Sequence, residues 1–167
     1  FFSNSTFNLD QNFFDNSKIN LKLEKVSNDD YIKMYSLEST SPIIKDTNIL
    51  ENIFEFSGSG DDLNFNLSFE SYESMNKLNS DKYEFVYPNY SLSKAIDLES
   101  DLVESLDFSS TGNQKKFSTN IYEAIQVNDL ILTSSKFINK LGFNNGFKTI
   151  IKNVNSDSNN SSKLKEK

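Results

Sequence analysis

Leu63-Asn64-Phe65-Asn66-Leu67-Ser68-Phe69-Glu70 alternates apolar and polar side chains without a break through eight positions. Successive side chains of a strand point to opposite faces, whereas a helix repeats every 3.6 residues. The stretch is therefore an amphipathic strand, with Leu63, Phe65, Leu67 and Phe69 on one face and Asn64, Asn66, Ser68 and Glu70 on the other. Ile19-Asn20-Leu21-Lys22-Leu23-Glu24 repeats the design, and Tyr83-Glu84-Phe85-Val86-Tyr87 places Tyr83, Phe85 and Tyr87 on a shared face.

Weaker strand signals lie on both sides. Ile53-Phe54-Glu55-Phe56 and Leu102 to Phe108 are candidates. So are Phe117 to Val127, the short apolar run Leu130-Ile131-Leu132, and Phe147 to Val154. Turn-prone clusters separate them: Ser27-Asn28-Asp29-Asp30, Ser57 to Asp62, Asn76 to Asp81, Ser109 to Asn113 and Asn155 to Ser162. Residues 155–167 are expected to form a polar loop or tail. One segment competes with this pattern, because Ser91 to Glu104 also reads as a helix through Leu92, Ile96, Leu98 and Leu102. Strand, turn and strand recur at roughly 12 to 18 residues, which predicts about nine or ten strands in an all-β, up-and-down antiparallel meander.

Composition narrows the function. Seventeen basic against 24 acidic residues give the 167-residue chain a formal charge of −7, so no electrostatic footprint for nucleic acid is present. Every basic residue is Lys, and His, Cys, Trp and Arg are absent. Imidazole and thiolate chemistry and disulfides are excluded, leaving carboxylates, hydroxyls and amines. No catalytic activity, cofactor or metal is expected. No run approaches 18 apolar residues, so no transmembrane helix is encoded. The first residues lack a basic n-region and an apolar h-region, and both termini read as cut, so a single fragment of a larger domain is expected over 1–167.

Amphipathic strands suit two environments. A soluble sheet turns its apolar face inward, whereas an outer-membrane barrel turns that face to lipid and its polar face to the lumen. At about 3.3 Å per residue, Asp62 to Glu73 spans roughly 40 Å. A strand tilted about 45° needs roughly 35 Å to cross a band about 25 Å tall. Soluble strands run to only about five or six residues. Hydrophobic residues reach only 36%, sparse for a water-soluble core, while 13% of residues are aromatic. Asn (23) and Ser (26) fill much of the rest. A barrel wall needs apolar residues on its lipid side alone, and Tyr72, Tyr83, Tyr87 and Tyr90 near strand ends suit an interfacial girdle; cross-strand aromatic pairing in any sheet explains them too.

Four stretches, in order along the chain, resemble the C-terminal outer-membrane β-barrel domain of the LPS-assembly protein LptD (organic solvent tolerance protein) family, in its alphaproteobacterial versions. They are Ile19 to Tyr35, Ser80 to Tyr90, Ser118 to Phe137 and Ile151 to Lys163. The resemblance implies an incomplete transmembrane β-barrel wall, seen as an open curved sheet, in the lipopolysaccharide translocon that assembles LPS into the outer leaflet. It also implies an LptE-like plug lipoprotein and a periplasmic Lpt bridge as partners, and lipopolysaccharide and the outer membrane as surroundings. No gate or lipid A-binding residue carries over. Asn64, Asn66, Ser68 and Glu70 become lumen-facing candidates, and Leu63, Phe65, Leu67 and Phe69 lipid-facing ones; an ordinary solvated strand face is the plainer account of the polar set.

The alternative is a soluble or surface-displayed β-sheet domain that binds a partner or carbohydrate. An outer-membrane phospholipase or protease barrel is disfavoured by the lack of His. Asp61-Asp62, Asp29-Asp30 and Asp81 lack the spacing of a calcium loop and read as turns. Glu99, Asp101 and Glu104 read as solvated charges, and Ser134-Ser135-Lys136 and Ser161-Ser162-Lys163 lack the Ser-x-x-Lys spacing of a hydrolase. The Asn-x-Ser/Thr triplets are what a chain so rich in Asn and Ser produces by chance.

Overall fold

The computed structural model describes residues 1–10, 13–35, 48–117 and 121–159. Eight strands form one antiparallel sheet: β1 (Phe2–Leu9), β2 (Asn16–Glu24), β3 (Ile49–Ser59), β4 (Leu63–Ser74), β5 (Tyr83–Ile96), β6 (Val103–Phe117), β7 (Ile121–Ser134) and β10 (Lys148–Ser158). Their order in the sheet is β1-β2-β3-β4-β5-β6-β7-β10, so each pairs with the next strand of this sheet along the chain and no connection crosses over. A minimal hairpin, β8 (Phe137–Ile138) and β9 (Asn144–Asn145), fills the connection from β7 to β10. Gly142 turns it at φ +82°, a conformation that costs a residue without Cβ nothing. β1 and β10 are not paired with each other, and the sheet is open.

Alternation decides most of these strands, and β4 runs through Leu63–Ser74 as the pattern requires. Over Ser91 to Glu104 the strand pattern holds against the competing helix: β5 continues to Ile96, and β6 begins at Val103. Cross-strand partners on β4 and β6 satisfy its backbone there, and Ser and Asp favour helix interiors only weakly. Several expectations are corrected. Ser109 to Asn113 is not a turn but the middle of β6, paired on both sides. Ser57–Ser59 belong to β3, so the turn shrinks to 60–62. Phe117 closes β6, while Ile121–Ser134 joins two expected segments into the single strand β7. Asn155–Ser158 are not loop or tail but the end of β10, paired with Gln126 to Glu123 of β7. Ladder hydrogen bonds come from the backbone, which every one of these polar residues still offers. The first strand, β1, alternates too weakly to be read from sequence.

The packed core is small. Ile32 of the short helix α1 (Tyr31–Met34) meets Leu50 and Met75, with Phe2 and Val26 against them. This cluster sits at the sheet end that carries the β2–β3 and β4–β5 connections. Lys82 fastens the same end, its ammonium 2.9 Å from Asp29 and 3.0 Å from Glu73. Elsewhere among the described residues no second layer covers the sheet. Leu63, Phe65 and Leu67 are half-buried, and Phe69 is 44% exposed.

Candidate functional site: the polar concave face

The pairing register carries the two faces of β4 across its neighbours. Level with Asn64, Asn66, Ser68 and Glu70 stand Ser59, Ser57, Glu55 and Ile53 of β3. Ser93, Ser91, Asn89 and Val86 stand level with them on β5. The face continues through Lys18, Asn20 and Lys22 of β2 and through Ser109, Thr111, Asn113 and Lys115 of β6. It is hydroxyl, amide and charge with few exceptions.

Side-chain hydrogen bonds tie this face together across strands. Asn20 Nδ2 donates to Glu55 Oε2 (2.8 Å) and Asn66 Nδ2 to Glu55 Oε1 (2.7 Å), so one carboxylate joins β2, β3 and β4. Glu70 accepts from Ser68 Oγ (2.6 Å), Tyr72 OH (2.7 Å) and Asn89 Nδ2 (3.3 Å). Ion pairs extend the net: Lys22 lies 2.6 Å from Glu51 and 3.1 Å from Glu24, and Lys115 lies 3.1 Å from Glu84. Those between neighbouring strands are the pairings that stabilise a sheet face, while Ser68–Glu70, Tyr72–Glu70 and Lys22–Glu24 lie within single strands.

The sheet is curved with this face on the inside. A concavity of about 750 Å³ spans β1 to β6, lined chiefly by side chains of the polar face, among them Asn8, Lys18, Ser59, Asn64, Ser93 and Thr111. A second hollow on the same face is framed by Glu70, Tyr72, Glu84, Asn89 and Lys115. Chemically the surface offers many donors and acceptors to a polar ligand. Among the described residues no group of three or more carboxylates is placed to hold a metal ion.

The opposite, convex face gathers Ile19 and Leu21, Phe54 and Phe56, Leu63 to Phe69 in alternation, and Phe85 and Leu92. Its aromatic rings meet across strands: Phe54 and Phe69 at 6.3 Å between centroids, Phe56 and Phe65 at 6.0 Å. Two glycines receive rings on this side. Phe14 covers Gly58, and the Tyr90 ring covers Gly112, where an added Cβ would lie 2.7 Å from it.

The structure thus separates the two candidate sets onto opposite faces and ties three of the polar four, Asn66, Ser68 and Glu70, into hydrogen-bonded groups; Asn64 is exposed on the concavity. Sequence reading missed Asn20, Glu55, Asn89 and the Lys115–Glu84 pair; it set Tyr72 and Tyr90 near strand ends in a girdle, whereas Tyr72 lies on the polar face bonded to Glu70 and Tyr90 sits in mid-strand, level with Leu67. The alternation of β2 and β3 signals the side on which Asn20 and Glu55 lie, but register decides which partners meet.

Segregation fades toward β10. On β7 and β10 the concave side carries Ile125, Val127, Ile131, Ile150 and Val154, interrupted by an Asp129–Lys152 ion pair at 3.2 Å. The convex side there carries a polar run in which Tyr90 OH and Ser110 Oγ lie 3.3 Å apart, Ser110 donates to Asn128 (2.7 Å) and Asn128 to Asn153 (3.4 Å).

No family model, curated protein or solved structure matches this chain. None of the described helices is long and apolar enough to cross a membrane, which says nothing about spanning by strands.

Proposed function

We propose that this chain forms part of the wall of an outer-membrane β-barrel, with the convex apolar face toward lipid and the polar concave face toward the lumen. The observation that carries the reading is a single curved sheet which, apart from the small cluster at one end, no second layer of described residues covers, and whose inner face is polar and outer face apolar over β2 to β5. A soluble sheet of this size would bury Leu63, Phe65, Leu67 and Phe69 under a second layer. Here Phe7, Phe54 and Phe69 are left 54%, 40% and 44% exposed. Strand length agrees, since β3 to β7 run 11 to 15 residues, against about 9–11 for a tilted membrane strand and about five or six in soluble sheets.

Within that class, the four stretches named above favour the LPS-assembly translocon. In this role Asn64, Asn66, Ser68 and Glu70 line the lumen beside an LptE-like plug or the saccharide of passing lipopolysaccharide, and the chain itself performs no catalysis. The periplasmic Lpt bridge would deliver the glycolipid to the assembled barrel. A photo-crosslinking side chain at Asn66, tested in cells, is expected to capture the plug lipoprotein or lipopolysaccharide, while one at Phe65 captures phospholipid. Capture of neither glycolipid nor plug from Asn66 would remove the translocon role and leave only a barrel wall.

The roomy polar concavity favours one second reading, a surface-displayed sheet that binds a polar partner there. The two part on solvent: a binding domain folds in buffer without detergent, whereas a barrel wall requires detergent or lipid.

A further inference from the structure

Resting on the reading of the concave face as the lumen side, we infer that its half nearest the β3–β4 turn is a track for an uncharged, polyhydroxylated ligand, a neutral glycan. The register lays two rows across the strands there. Asn16, Ser59, Asn64, Ser93 and Ser109 stand level on β2 to β6. Beside them run Lys18, Ser57, Asn66, Ser91 and Thr111. All ten line the concavity of about 750 Å³, a volume within the range of ligand sites. Four steps between strands at about 4.8 Å make each row roughly 19 Å long, the reach of a short oligosaccharide rather than of one sugar ring.

The two halves of the face differ in what their side chains have left to offer. In the half toward α1 the polar groups are spent on one another: Glu55 holds Asn20 and Asn66, Glu70 holds three donors, and Lys22 and Lys115 are paired with carboxylates. Of the two rows, Asn66 alone donates into that net. No side chain of the first row, nor Ser57, Ser91 or Thr111 of the second, has a hydrogen-bond partner among the described residues. Free hydroxyls and amides match a ligand made of hydroxyls, since each of these both donates and accepts. Each contact exchanges a hydrogen bond to solvent for one to the ligand, so single contacts contribute little and binding needs many at once. Neither row carries an aromatic ring on which a sugar could stack. Contact is therefore weak and spread over many groups, which suits a wall that a glycan passes along rather than a pocket that retains it.

Charge sets the class of glycan. Among the described residues of β1 to β6, the concave face carries Glu24, Glu51, Glu55, Glu70, Glu84 and Asp107 against Lys18, Lys22 and Lys115, six carboxylates to three ammonium groups. Two of the three ammonium groups, those of Lys22 and Lys115, are already taken by carboxylates. A phosphorylated or carboxylated ligand is repelled by that excess, and a neutral one is indifferent to it.

The full chain is prepared in a zwitterionic detergent without sugar headgroups and, separately, in buffer. Circular dichroism is read first: a sheet formed only in micelles supports the barrel wall, and one formed in buffer overturns it. The glycan titration is then read on whichever form folds. Maltoheptaose and its sulfated counterpart are titrated by saturation-transfer NMR. Maltoheptaose is expected to bind in the millimolar range, and the sulfated form at least about five-fold more weakly. N64A/S93A should weaken maltoheptaose about five-fold or more, while Y72F, in the half toward α1, leaves it unchanged. S91A/T111A in the second row gives the same comparison if N64A/S93A does not fold. No binding of maltoheptaose, or equal binding of the sulfated form, overturns the inference while leaving the barrel wall. Equal losses in N64A/S93A and Y72F overturn the placement of the track. The same glycan carried on a lipid in the micelles gives its source: tighter binding than the free glycan supports the carbohydrate chain of a glycolipid, and equal binding supports a soluble glycan.

Discussion

Glu70 accepts three hydrogen bonds from Ser68, Tyr72 and Asn89, and each donor would lose its partner if the carboxylate were removed. Glu70→Ala is expected to cost about 1–3 kcal/mol in equilibrium unfolding, because donors left unsatisfied cost more than the bond itself contributes. Glu70→Gln keeps an acceptor oxygen and should cost less. At Gly112 the constraint is steric, since an added Cβ would meet the Tyr90 ring at 2.7 Å and the Ile125 carbonyl oxygen at 3.0 Å. Gly112→Ala is expected to destabilise by about 1–3 kcal/mol, and the double variant with Tyr90→Leu to recover part of it, read from the same unfolding curves. Sequence alone could assign Glu70 to the polar face by parity. It could not show that Tyr90 covers Gly112, because only the register of β5 against β6 brings them together.

At the scale of the strand, parity is the sharpest handle. Phe65→Lys and Asn66→Lys place the same charge on adjacent residues of β4 but on opposite faces. For a barrel wall the first costs about 2–4 kcal/mol of folding free energy in lipid if it lies near the bilayer midplane, and the second much less. Equal costs in vesicle refolding would contradict the assignment of faces. β4 was legible because its alternation is unbroken. β6 was legible only as far as Phe108, because Ser109-Ser110-Thr111-Gly112-Asn113 has turn composition, and the strand character of that part comes from ladders on both sides. The bulge in β5 was equally hidden: Val86 and Asn89 pair with Lys115 and Asn113, leaving an extra residue in the Tyr87-Pro88 stretch. Beyond the strand ends, hydrogen bonding to Asp29 and Glu73 raises the Lys82 ammonium above its ordinary 10.5. A raised lysine contributes fully below 10.5 and is lost as pH rises through the higher folded value. Amide exchange in residues 25–35 should therefore show no Lys82-dependent change from neutrality to pH 9, and Lys82→Met should speed exchange there throughout that range.

For the molecule as a whole, the meander topology followed from the even spacing of strands and turns, whereas curvature did not, because which face becomes concave depends on twist and packing along the entire sheet. Folding is expected to need an apolar solvent. Circular dichroism and protease protection should report the native sheet in detergent micelles or vesicles and its loss in buffer. A stable monomer in buffer, with Phe54 and Phe69 protected, would favour the soluble domain. The open margins have a further consequence for such experiments. β1 and β10 each offer a row of backbone donors and acceptors on one side. Any copy that adds its β10 to a neighbour's β1 buries one such row from each molecule and recreates both at the ends of the pair. Growth of this kind has no natural stopping size, so it is governed by how often a first pair forms. Yield should then depend on the order of mixing: diluting denatured chain directly into lipid favours single sheets, while pausing in buffer seeds linear polymers that later lipid does not dissolve.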